Sequence, residues 1–66
     1  MKIAIKLLDK PEEEIIDGVV MVEEDYIDFL FHIAGKENGK PFHKAVPSRL
    51  VEYIRKIEGV EDNGED

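Results

Sequence analysis

The chain contains no cysteine, and in 66 residues that absence constrains the fold more than any residue present. A domain of this size buries only about 60% of the surface its unfolded chain exposes. Neither a disulfide nor a zinc–thiolate site can add to that. The fold must rest on one apolar core, with marginal stability unless a partner surface contributes. A thiol nucleophile is excluded too, and a reducing, cytoplasmic setting fits. No segment reaches the roughly 18 apolar residues of a membrane span, and residues 1–6 interleave charge with apolar positions, unlike a signal peptide. The expectation is a cytoplasmic protein that is neither exported nor inserted.

Residues 2–8 alternate Ile3, Ile5 and Leu7 with Lys2, Ala4 and Lys6, the period of a half-buried strand. Pro11 and Glu12 to Glu14 follow as a solvated loop. Asp17-Gly18 between Ile15-Ile16 and Val19 to Val22 predicts a tight hairpin, because both central positions of such a turn need positive φ. Residues 26–34 alternate like a strand through Ile27, Phe29, Phe31 and Ile33, yet Ile27, Leu30, Phe31 and Ala34 also form a helical stripe. Strand is preferred, because Asn38-Gly39 pairs the segment with Lys40 to Val46 and sets Phe31 opposite Val46, with Pro41 near the tip or on an edge. Ser48 as N-cap, the stripe Leu50, Val51, Ile54 and Ile57, a Glu52–Lys56 pair and Gly59 as terminator predict a helix over about 48–58. Together these predict an α+β fold, a small antiparallel sheet of three to four strands packed by one C-terminal helix. It forms a single domain over residues 1–60, with an acidic, disordered tail over 61–66.

Nothing in the chain equips it for catalysis. Ser48 is the sole serine and is committed to a cap, so a nucleophile triad has no candidate. Glu12 to Glu14 and Glu23 to Asp25 are runs of adjacent acids, which are ordinarily solvated. Gly35 and Gly39 bracket a loop with no helix after it to direct N–H groups at a phosphate. His32 and His43 fall on one sheet face in the hairpin register, but their spacing fits no zinc motif and a surface or packing role outweighs a metal or proton-transfer pair. No cofactor is expected.

The net charge of −7 opposes a sequence-independent grip on DNA or RNA. The charge is uneven, with Lys36, Lys40, Lys44, Arg49, Arg55 and Lys56 gathered late in the chain, so a basic face can exist on an acidic protein. Met21, Tyr26, Phe29, Leu30 and Phe31 exceed what one face of a single sheet can bury. Their cover is either a dimer, the long loops, or a partner protein with aromatic anchors.

Residues 23–30, Glu-Glu-Asp-Tyr-Ile-Asp-Phe-Leu, resemble the peptide that docks proteins on the sliding clamp, proliferating cell nuclear antigen. Glu23 stands where that motif has Gln, Tyr26 at the aliphatic position and Phe29-Leu30 at the terminal pair. A second register uses Glu24, Ile27 and Leu30-Phe31. Gln, Thr, Trp and Cys are absent while Glu, Lys, Ile and Val abound, a hyperthermophile-like drift. With its length and motif, the chain resembles the small Thermococcales inhibitors of this clamp. The resemblance implies a protein that occupies the clamp's peptide site, reaches further with a helix bearing Arg49 and Tyr53, disturbs the ring and blocks clamp-dependent replication. Competing readings are an acidic DNA mimic that blocks a nucleic-acid-binding enzyme, and a homo-oligomeric structural module.

Overall fold

The computed structural model describes residues 1–57. Six strands follow in order: β1 (Lys2–Leu7), β2 (Glu14–Ile16), β3 (Val19–Asp25), β4 (Leu30–Glu37), β5 (Lys40–Pro47) and β6 (Val51–Ile57). A single 3₁₀ turn over Ser48–Leu50 joins β5 to β6. All pairings are antiparallel and make two three-stranded sheets, β2-β1-β6 and β3-β4-β5. Ile3, Ile5, Val19 and Ile33 form the buried core, with Leu7, Ile16, Val22, Phe42, Val46, Val51 and Ile54 packed against it, so both sheets contribute.

The expected α+β fold is therefore corrected to an almost all-β one: among the described residues no helix packs a sheet, and residues 51–57 are a strand. A bulge explains the misleading pattern. In the pairing of β1 with β6, Ile5 faces Ile54 and Lys6 faces Tyr53, but Leu7 faces Val51, leaving Glu52 as the extra residue. That insertion returns Val51 to the core face although it lies three residues from Ile54, which imitates helical spacing. Ile57 instead shares the outer face with Tyr53 and Arg55, as does its partner Lys2. Ser48 caps no α-helix; it opens the 3₁₀ turn, and its hydroxyl is buried without a hydrogen-bond partner in the structure. Glu52 meets Lys6 at 3.3 Å, not Lys56. Gly59 and the acidic tail over 61–66 lie outside the described residues.

Asp17-Gly18 does not close a hairpin between its neighbours. β2 pairs with β1 and β3 pairs with β4, so residues 14–25 run as one bent path that leaves the first sheet and enters the second. Gly18 makes the bend at φ 73°, and Met1 continues the seam by exchanging its N-terminal ammonium and carbonyl with Val19 at 2.8 Å each. Gly35 is not in a loop either, because β4 continues to Glu37. The β4–β5 hairpin agrees with the sequence reading: Phe31 faces Val46, and Asn38 and Gly39 turn at φ 54° and 80°. Pro41 sits opposite Lys36 near the tip of β5, an edge strand where a missing N–H costs no ladder bond. Among the described residues no helix is long and apolar enough to cross a membrane.

Candidate protein-docking surface

β3 and β4 are joined by a turn over residues 26–29 that carries three highly exposed large apolar side chains. Tyr26 is 75% exposed, Ile27 86% and Phe29 71%. The preferred strand over 26–34 is thus half right: β4 begins only at Leu30. Asp25 explains why the turn forms. Its carboxylate oxygen Oδ1 accepts the N–H of Ile27 at 2.9 Å and of Asp28 at 3.0 Å, so an aspartate side chain organises the backbone after it. These backbone donors, Asp28 first and then Ile27, hold the Asp25 carboxyl below its ordinary pKa against the opposing effect of desolvation. At the far end the Phe29 carbonyl accepts the Ser48 N–H at 2.9 Å, tying the turn to the 3₁₀ segment. Phe29 itself adopts φ 58°, a left-handed conformation that costs a side-chain-bearing residue about 1–2 kcal/mol. The apolar residues are thus held out by a fixed backbone.

The turn overhangs a shallow groove lined by Met21, Glu23, Glu24, Asp25, Tyr26, Ile27, His32 and His43. His32 Nδ1 and His43 Nε2 are 2.9 Å apart. With centroids 5.0 Å apart and planes only 17° from parallel, the rings meet end to end, not face to face. The other nitrogen of His32, Nε2, lies 3.6 Å from Asp25 Oδ2. No set of three or more His, Cys, Asp or Glu side chains among the described residues is arranged to hold a metal.

The structure gathers some of the expected docking residues and separates others. Glu23, Tyr26 and Ile27 line one groove and Phe29 projects from the same turn. Leu30 and Phe31 are partly buried in β4, where they pair with Pro47 and Val46. Arg49 is exposed in the 3₁₀ turn beside Ser48. Tyr53 lies on β6 of the other sheet, where its hydroxyl donates to Glu13 and Arg55 grips the same carboxylate at 2.8 and 2.9 Å. Arg55 above all, and then Tyr53, lower the Glu13 pKa to about 2. That cluster fastens the β1–β2 loop to β6. His32 and His43 share a sheet face as the hairpin register predicts, and they are in contact, whereas the sequence reading gives Asp25 no part in the site, although an Asp at the head of a turn is a readable signal.

Compared with known proteins, the chain matches no family model, and neither a curated protein nor a solved structure matches it.

Proposed function

We propose that this protein acts by docking the 26–29 turn into an apolar pocket of a protein partner, and that the partner is a sliding clamp engaged at its peptide site. The observation that carries this is the exposure of Tyr26, Ile27 and Phe29 on one turn anchored at both ends. A few pre-ordered aromatic and aliphatic anchors can dominate binding energy, because little entropy remains to be lost when they enter a pocket. A turn also suits a clamp-type peptide, which docks as a short 3₁₀-like segment, better than an extended strand would.

On this reading Tyr26, Ile27 and Phe29 are the anchors and Glu23 borders them, while Leu30 and Phe31 support the turn from within the sheet. Arg49 adds a charged contact at the rim, where its main effect is on association rate. Presenting the motif from a folded domain brings bulk that a free peptide lacks against the clamp, which supports disturbance of the ring and a block to clamp-dependent replication. Calorimetric titration into an archaeal sliding clamp at low and high salt tests the reading. Apolar docking predicts a dissociation constant that changes little with salt. Absence of heat at micromolar protein refutes the clamp as partner. The net charge of −7 favours one rival, the acidic DNA mimic, which predicts steep weakening by salt and a basic partner.

A further inference from the structure

His43, His32 and Asp25 form a continuous line of contacts that ends on the backbone of the exposed turn. His43 Nε2 meets His32 Nδ1 at 2.9 Å, His32 Nε2 faces Asp25 Oδ2 at 3.6 Å, and Asp25 Oδ1 accepts the N–H groups of Ile27 and Asp28. We propose that the His32–His43 pair is a proton-controlled latch that sets how firmly Asp25 holds the 26–29 turn. The inference concerns the turn itself and stands whether or not the docking reading above is correct.

The end-to-end geometry requires one hydrogen between the two facing nitrogens, one ring donating and the other accepting. In the neutral pair, one proton satisfies that contact and the Asp25 carboxylate meets an uncharged ring. One added proton makes His32 an imidazolium that donates from Nδ1 to His43 and from Nε2 toward Asp25. Both contacts are then charge-assisted, and the turn is held most firmly. A second proton places hydrogen on both facing nitrogens, so their hydrogen bond is lost and two cations confront one another. The latch is therefore closed in a pH window and opens on its acid side.

Asp25 is the carboxylate in contact with the pair. From β3, Glu23 stands opposite His32 in the register and Asp25 lies at its Nε2; Glu24 lines the same groove. From β5, His43 is the titratable partner, and Ala45, which faces His32 directly, carries no charge. On β4, Ala34 faces His43 and is likewise uncharged. Glu23 and Asp25 thus share the face of the imidazole pair, whereas Glu24, paired with Phe31, belongs to the opposite face of β3. Asp25 keeps its own charge through the range in which histidines titrate, since its pKa is lowered.

Nuclear magnetic resonance of the intact chain, without any partner, tests this from about pH 8 down to about pH 5, the interval in which histidine changes charge. The amide signals of Ile27 and Asp28 should move in step with the imidazole of His32, and their protection, the exchange rate relative to that of an unstructured amide at the same pH, should rise several-fold as the first proton is taken up. His32→Gln should abolish both responses while leaving the Ile33 amide in place as a control for folding. Asp25→Asn keeps an oxygen acceptor for the turn but removes the carboxylate, so the turn should persist with its pH response lost. Ile27 and Asp28 amides that stay constant across the histidine titration, or a response that survives in either variant, would overturn the latch.

Discussion

Gly18 and Gly35 lie backbone against backbone where the two sheets meet: a Cβ on Gly35 would overlap the Gly18 carbonyl, and one on Gly18 would overlap the Lys36 carbonyl. The Lys36 N–H donates to the Gly18 oxygen at 2.9 Å across this contact, and the Phe42 ring covers the place where a Gly35 side chain would stand. The bend from β2 into β3 depends on that close approach.

Gly35→Ala should therefore destabilise the fold by at least the roughly 1–3 kcal/mol typical of overpacking, because the obstructing atoms are backbone and cannot swing aside. Gly18→Ala adds the cost of φ 73° for a residue with a side chain. Gly39→Ala is the control, since nothing lies within 4 Å of its Cβ position and only the positive φ opposes it. Urea midpoints should rank Gly39→Ala as the mildest of the three.

The core predicts a second ordering. Ile33 is fully buried and Ile54 only partly so, while Ile57 stands on the outer face. Ile33→Ala should cost about 2–5 kcal/mol. Ile54→Ala should cost less than that, and Ile57→Ala least. Equal losses for Ile54→Ala and Ile57→Ala, measured by chemical denaturation, would fit a helix with one continuous apolar stripe and contradict the bulged strand.

How far the fold was legible follows from such local devices. The alternation of Ile3, Ile5 and Leu7 and the Asn38-Gly39 turn are short-range signals, and β1 and the β4–β5 register follow from them. The bulge at Glu52 is a tertiary adjustment to β1, invisible in β6 alone, and it turned a strand into an apparent helix. Asp17-Gly18 reads as a hairpin, but only Gly18 takes a positive φ, and the residues on either side join different sheets, which a local turn signal does not reveal. Residues 26–29 look strand-like by alternation, and only the Asp25 side chain reveals the turn. Arg49 and Tyr53 were grouped on a helix that the β6 strand replaces, so they face different surroundings.

Acid should loosen the attachment of the β1–β2 loop. Glu13 titrates at about 2 in the folded protein, below an unfolded carboxyl at 4.5. A depressed folded value means that its stabilising contribution is present above the unfolded pKa and is lost as pH falls from there through about 2. Glu13→Gln should flatten the decline of the urea midpoint across that interval. Because the pair is exposed, the change should be modest and should shrink with added salt.

Replacing Tyr26, Ile27 and Phe29 together with Ala tests the docking account most directly, since all three are exposed and their loss removes no core contact. The variant should unfold at nearly the same urea concentration as the parent. By calorimetry against a sliding clamp, its binding should fall by at least two orders of magnitude, as expected when anchors of about 2 kcal/mol or more each are truncated. A folded variant that binds the clamp as tightly as the parent would contradict the account.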